Sequence, residues 1–370
     1  MAAMAAAKPA GAVEKLMRIP ESLSCSLSQT KVGYRTLGNS GLRVSNPILG
    51  GLHLGSSRWL PWVLDEDKAS ATLAESGWDT ANVYSNGQSE RMMAKALQKY
   101  KIPRSKVVLM TKCYRVVCDS EHYDPGAEVT MHHELADQSK DYVNQWGLSR
   151  SAIFNAVEAS LDRLNTHYID VFQIHRFDPT VPIEETMCAL HDLVRAGMVR
   201  YIGASSMWTY QLAAMQHVAE RKGYTKFVSM QNHYNLIYRE EEREMNRFCN
   251  MNGIGLIPWA PLASGRLARP PQQKSSTIRS SNGTGSIYAS EESNTDQILH
   301  RVQEIAFKRN WPMSHVGLAW LNRRVTSPII GLSSTARMDE ALGAVGKELT
   351  KGEELYLEEL YLPQMVQGHT

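Results

Sequence analysis

Four polar side chains stand at or just beyond the ends of apolar runs. Asp79 follows Gly77-Trp78, Tyr84 lies five residues on, Lys112 follows Val107 to Thr111, and His175 follows Val171 to Ile174. A tyrosine phenol ordinarily titrates near 10, too high for an efficient acid at neutral pH. An ammonium within a few ångströms favours the phenolate and makes such a phenol a better donor. A carboxylate would hold that ammonium, and a neutral imidazole would orient a carbonyl oxygen beside the phenol. Read together, Tyr84 protonates a carbonyl oxygen, Lys112 and Asp79 tune it, and His175 positions the substrate while hydride arrives from the opposite side. The same cluster stabilises the alkoxide-like charge of the transition state.

For these four residues to meet, the ends of several strands must converge. Strand-like runs occur at Ile48 to Gly50, Trp78 to Ala81, Val107 to Thr111, Ile169 to Ile174, Val199 to Gly203, Phe227 to Met230, Ile254 to Pro258 and Pro328 to Ile330. Helical patterns fall between or after them, at Ser89 to Tyr100, Ser151 to Leu164, Ile183 to Ala196, Tyr210 to Arg221, Glu240 to Asn252, Asp296 to Arg309, Ser314 to Arg323 and Thr335 to Val345. Ser149 stands in N-cap position, and Gly197 marks a helix stop. Alternation of this kind means a parallel sheet wound with helices. No Gly-x-Gly-x-x-Gly follows an early strand, so an open dinucleotide-binding sheet has no support. The pattern predicts α/β architecture: one (β/α)₈ TIM barrel with an N-terminal hairpin across Gly38-Asn39-Ser40-Gly41. Two long segments, Tyr114 to Gly147 and Ser264 to Thr295, follow strand ends and belong on the C-terminal face, where barrel enzymes keep their sites. Residues 32–370 form the barrel domain, and residues 1–31 read as a poorly ordered tail.

Composition narrows the class further. Of 370 residues 43% are hydrophobic and 21% charged, and the net charge is +2 with both signs interspersed. That balance offers no nucleic-acid stripe and no basic membrane patch. Cys25, Cys113, Cys118, Cys188 and Cys249 are odd in number and form no Cys-x-x-Cys, which reads as reduced thiols of a cytoplasmic protein. His122 stands ten residues before His132-His133, a spacing that matches no common zinc site, so no metal is expected. The expected partner is a small molecule, and the chain is expected to act as a monomer or homo-oligomer.

The sequence resembles the aldo-keto reductases across nearly its whole length. The residues that carry the resemblance are Asp79-Thr80-Ala81-Asn82-Val83-Tyr84-Ser85-Asn86-Gly87 with Ser89-Glu90, then Thr111-Lys112, then Tyr168 to His175. Within that family it is similar to a fungal branch containing versiconal hemiacetal acetate reductase and aryl-alcohol dehydrogenases, through Gln231 to Asn235, Ile257 to Leu262 and Pro328 to Ser334. The resemblance implies NADPH-dependent reduction of an aldehyde or ketone, a possible intermediate of secondary metabolism, with Asp79, Tyr84, Lys112 and His175 as the catalytic tetrad. It further implies that Ser205, Ser206 and Gln231 hold the nicotinamide carboxamide, and that Trp259 stacks on the ring. Gly51, Asp79, Ala260, Pro261, Leu262, Ser264, Gly265 and Arg266 would lie along the cofactor toward its pyrophosphate. Gly331, Ser333, Arg337 and Glu340 would hold the adenosine end. Arg337 suits a 2′-phosphate because a guanidinium can fork onto it. Trp59, Trp62 and Trp208 point to an aromatic substrate.

One departure bears on activity. Between Trp62 and Asp79 the chain is about six residues shorter than the family pattern. With a first helix over Asp65 to Glu75, only three residues remain before Asp79, about 10 Å at ~3.3 Å per residue where a barrel strand needs about 16 Å. The expectation is a shortened first helix and a brief second strand that leave Tyr84 in place. The competing reading is an NADPH-binding regulatory protein of the same fold, like the β subunits of potassium channels, with little or no turnover.

Overall fold

The computed structural model describes residues 17–65, 77–118, 129–273 and 294–369. The expected first helix, His122 and most of the segment from Ser264 to Thr295 lie outside the described residues. So do residues 1–16 of the expected tail; residues Glu21–Gln29 of that tail form a helix, α1, with no buried side chain.

Strands β1 (Gly33–Thr36) and β2 (Arg43–Asn46) make the antiparallel N-terminal hairpin. The eight barrel strands follow in chain order: β3 (Ile48–Gly50), β4 (Trp78–Asp79), β5 (Leu109–Cys113), β6 (Ile169–Ile174), β7 (Val199–Ser205), β8 (Phe227–Gln231), β9 (Gly255–Leu256) and β10 (Ile329–Ile330). They pair in parallel in the order β10-β3-β4-β5-β6-β7-β8-β9. The two ends of that order also meet, because the amides of Thr326 and Ile329 donate to the carbonyls of Leu256 and Pro258 at 2.9 Å each. The sheet is thus closed, as the (β/α)₈ reading requires.

Two apolar layers hold it. Leu37 and Val44 of the hairpin pack with Ile48, Met110, Val171, Ile257 and Ile329, so the hairpin covers the end of the barrel where the strands begin. A second, larger layer lies between the strands and the surrounding helices. The helix Arg150–Leu164 shows why the sequence folds this way. Ser149 Oγ accepts from the Ala152 amide, Asn165 ends the helix at φ 48°, and Ala152, Ile153, Val157, Ser160 and Leu164 form its buried stripe. Gly197, at φ 76°, follows the helix Ile183–Arg195 as expected.

Several boundaries differ from the sequence reading. The stretch Glu240 to Asn252 is not one helix but a 3₁₀ turn, Glu240–Glu242, followed by Met245–Met251. The helix Lys351–Glu358 was not signalled by the pattern, since Leu357 is its one buried residue. Strand β4 is brief, yet its pairing does not stop at Asp79. The amides of Trp78, Thr80 and Asn82 donate to the carbonyls of Val108, Met110 and Lys112 at 2.9, 2.8 and 3.1 Å. The ladder thus continues beyond Asp79, on the side that leads to Tyr84.

Candidate active site

Side chains alternate across a strand, so every second residue of β5, β6, β7 and β8 points into the barrel. Lys112 stands in register with Gln173, and Ser205 with Gln231, near the ends of these strands. Lys112 is fully buried. Its Nζ donates to Asp79 Oδ2 and to the Thr80 carbonyl, each at 2.7 Å. The other carboxylate oxygen of Asp79 accepts from Gln173 Nε2 and Gln231 Nε2, each at 2.9 Å. Every oxygen of this buried carboxylate is thereby satisfied, which is what keeps a charged pair tolerable inside the barrel.

Tyr84 sits above the pair on a short irregular turn. Ser85 and Asn86 adopt φ 48° and 53°, and Gly87 follows at 86°. A Cβ at Gly87 would lie 2.7 Å from Arg163 Cδ, so both the backbone and the neighbour demand glycine. Arg163 donates to Glu90 at 2.6 Å, Thr111 Oγ1 donates to the same carboxylate at 2.6 Å, and Ser89 Oγ donates to the Gly51 carbonyl at 2.9 Å. These bonds pin the start of the helix Gln88–Lys99 to β3 and β5, and with it the tyrosine. The Lys112 Nζ lies 5.1 Å from the centre of the Tyr84 ring, and the His175 ring stands edge-on to it at 5.8 Å. The structure thus brings all four predicted residues together.

His175 is buried, and its Nδ1 has no hydrogen-bond partner among the described residues. Burial first, then the charges of Arg176, Lys112 and Arg115, hold its pKa well below the usual 6.5, so the imidazole is neutral at physiological pH. A neutral ring offers one donor and one acceptor to a carbonyl compound.

The residues assigned to a cofactor gather on the adjoining strands and loops. The Gln231 amide nitrogen is engaged with Asp79 and, at 3.0 Å, with Gln173 Oε1; among the described residues nothing donates to its own oxygen. Ser205 donates to the Gln231 carbonyl at 2.8 Å. Ser206 accepts from Trp259 Nε1 at 3.0 Å, so its hydroxyl orients the indole. Behind the indole lies the His233 ring at 4.1 Å, and behind that Tyr238 at 4.0 Å, all nearly parallel. Beyond Trp259, Ala260, Ala263, Ser264 and Gly265 all have positive φ, from 49° to 90°. Such left-handed residues turn the backbone sharply, and the amides of Ala263 and Gly265 are taken by the carbonyls of Ala260 and Leu262 at 2.9 and 2.8 Å. Pro261 and Leu262 lie within this stretch, with Arg266 and Arg269 at its far end.

At the other end Gly331 follows β10. Arg337 donates to Ser333 Oγ at 2.6 Å from an exposed position at the start of the helix Thr335–Leu342. Glu340, expected to face the adenosine, holds Ser314 Oγ with its carboxylate and His315 with its carbonyl. Gly51 is buried, with Ser89, Met93 and the Asp79 carbonyl within 3.0 Å of where a Cβ would stand. Two residues escaped sequence reasoning. Gln173 was read as part of an apolar run, although its amide joins Asp79 to Gln231. Arg269 had no motif to mark it, yet it lies beside Arg337 and Gly265. The aromatic residues are less concentrated than expected. Trp208 is 40% exposed and packs on His369, while the loop carrying Trp59 and Trp62 is tied to Ser85 by the Ser56 amide at 2.8 Å.

A closed parallel barrel, with a buried lysine–aspartate pair beneath a tyrosine and a neutral histidine, defines an oxidoreductase of the nicotinamide-dependent barrel class. Sequence comparison gives its family. Residues 49–361 match the model of the aldo/keto reductase family. The chain is 73% identical to an aldo-keto reductase of Fusarium vanettenii, with 97% of this chain and 99% of that protein covered. It is 45% identical to versiconal hemiacetal acetate reductase of Aspergillus parasiticus, over 90% of this chain and 98% of that one. A putative aryl-alcohol dehydrogenase of Schizosaccharomyces pombe is 44% identical over 90% and 97%. The protein belongs to the aldo/keto reductase family, and it is an NAD(P)-dependent oxidoreductase acting on carbonyl compounds.

Proposed function

We propose that the protein reduces an aldehyde or ketone to the alcohol at the expense of NADPH, with Tyr84 as proton donor. The observation that carries this reading is the position of the Tyr84 ring, 5.1 Å from the Lys112 ammonium and edge-on to a neutral His175. NADPH, when bound, supplies the hydride. His175 orients the carbonyl oxygen toward the phenol, and Tyr84 delivers its proton to that oxygen as negative charge develops there. Lys112 stabilises the phenolate that remains, and Asp79 holds Lys112 in place.

The residues fit such a cofactor. The unclaimed oxygen of Gln231 can accept from a carboxamide, Trp259 presents a braced aromatic face, and Arg266 and Arg269 at the end of the turn from Ala260 to Gly265 offer positive charge to a pyrophosphate. Arg337, backed by Arg269, supports a 2′-phosphate and so NADPH over NADH. Relatives named for versiconal hemiacetal acetate and for aryl alcohols support an aromatic substrate, in keeping with secondary metabolism. Five free cysteines support a cytoplasmic protein, and no helix among the described residues is long and apolar enough to cross a membrane.

The test is NADPH oxidation over a panel of aromatic and aliphatic aldehydes and ketones, with NADH in parallel and Tyr84→Phe as control. Turnover that falls at least ~10²-fold in the variant while NADPH still binds is the expected result. A wild type that binds NADPH tightly but turns over no carbonyl compound would establish the regulatory reading instead.

A further inference from the structure

Two cations beside the proposed donor have no counter-charge among the described residues. Lys112 is neutralised by Asp79, but the next basic residues on the same rim are not. Arg115 stands three residues past Lys112 on the segment leaving β5, and Arg176 directly follows His175 at the end of β6. These strands are neighbours: Cys113 is in register with Ile174, and the His175 amide donates to the Cys113 carbonyl at 2.8 Å. Both arginines are half-buried.

Elsewhere the fold compensates its half-buried arginines. Arg104, Arg163, Arg239 and Arg324 each hold a carboxylate at 2.6 to 2.8 Å. Arg35, without one, donates to three backbone carbonyls. By contrast, Arg176 donates to the His175 carbonyl alone, and among the described residues no carboxylate comes within ion-pair distance of Arg176 or Arg115. Gly368 bounds the place on one side. A Cβ there would lie 3.4 Å from Trp259 and 3.8 Å from Arg176 Nη2, so the same strip of chain borders both the indole and the guanidinium.

We propose that Arg115 and Arg176 form an anion subsite beside the carbonyl position, and that the substrate is an oxo acid, a carbonyl compound that carries a carboxylate. The inference rests on the carbonyl-reductase reading and deepens it. Two like charges brought together and partly desolvated are unfavourable until an anion arrives, and a carboxylate can take the fork of a guanidinium in two parallel bonds. Burial together with Arg115 holds the Arg176 guanidinium at about 10, down from its ordinary 12.5, as expected of a cation that lacks a partner. At neutral pH it remains charged and ready to bind.

The test compares kcat/KM for phenylglyoxylate and 4-phenyl-2-oxobutanoate with that for their methyl esters, which keep the ketone and lose the charge. Wild type should prefer each acid by tenfold or more. Arg115→Met and Arg176→Met should each cut that acid-to-ester ratio at least tenfold, with Arg176→Lys intermediate because it keeps charge but loses the fork. A ratio near one in the wild type, or a ratio unmoved by the variants, overturns the subsite while leaving carbonyl reduction standing. If neither acid nor ester turns over, the carbonyl reading fails separately. The subsite is then decided by equilibrium binding of phenylglyoxylate to the NADPH-loaded protein: binding weakened tenfold in both Met variants sustains it, and unchanged binding overturns it.

Discussion

The ammonium of Lys112 lies 2.7 Å from the Asp79 carboxylate with both side chains shut off from solvent, 0% and 2% exposed. Removing one member of such a pair leaves the other charged and unpaired, at a cost of about 3–5 kcal/mol. Asp79→Asn is therefore expected to lower the urea midpoint sharply, because Lys112 keeps only the Thr80 carbonyl. Lys112→Met should cost less, since Asp79 retains two amide donors from Gln173 and Gln231. The double variant should unfold at a higher urea concentration than Asp79→Asn alone. All three should be inactive toward carbonyl substrates.

Two buried histidines set the pH response. His175 lies well below 6.5 and His233 at about 3, both mainly through burial. Their folded pKa values are depressed, so below 6.5 the unfolded chain takes up protons that the native state refuses. The stability they contribute is whole above pH 6.5 and falls as the pH drops from there, by about 1.4 kcal/mol per pH unit per histidine, for His233 down to about pH 3. Urea midpoints measured from pH 7.5 to 4.5 should decline accordingly, and His233→Gln should flatten the decline. Carbon shifts of both imidazoles should stay those of neutral rings at pH 5.5.

The stack Trp259–His233–Tyr238 braces the proposed cofactor face from behind. Trp259→Ala should weaken NADPH binding at least tenfold, about 1.4 kcal/mol. His233→Ala should weaken it less, since it leaves the indole its bond to Ser206 but removes its backing. Titration of NADPH against intrinsic fluorescence separates the two, because Trp259 itself should be quenched only when the ring is present.

Arg337 and Arg269 together place positive charge where we propose the adenosine end of the cofactor binds. Arg337→Ala should raise the NADPH KM by ten- to a hundredfold and leave the NADH KM nearly unchanged. Equal losses for both cofactors would assign the pair a structural role.

Much of this was legible in the sequence, for identifiable reasons. Asp79, Lys112 and His175 each end a short apolar run of the kind a buried parallel strand shows, and the polar residue at the end of such a run is marked by the contrast. Gln173 was missed because its partners, Asp79 and Gln231, lie 94 and 58 residues away and only barrel closure unites them. The unpaired state of Arg115 and Arg176 was equally unreadable, since a lone arginine after a strand end looks like any solvated one. Helix Lys351–Glu358 escaped because it is docked by ion pairs of Glu353, Glu354 and Glu358 with Arg309 and Arg324, and Leu357 alone does not make an apolar stripe to detect. The brief strand at Asp79 was legible too, because so few residues separate it from the expected first helix.

That strand has a consequence for how such a barrel tolerates change. Because Thr80 and Asn82 are held to Met110 and Lys112, Asp79 takes its position from the chemistry end of the barrel. It is also tied from the side on which the chain enters, where the Trp78 amide donates to the Val108 carbonyl at 2.9 Å and the Gly77 amide to Ser45 Oγ at 3.0 Å. A change confined to one side of Asp79 therefore leaves the aspartate fastened from the other, as a rung stays level while either end is still tied.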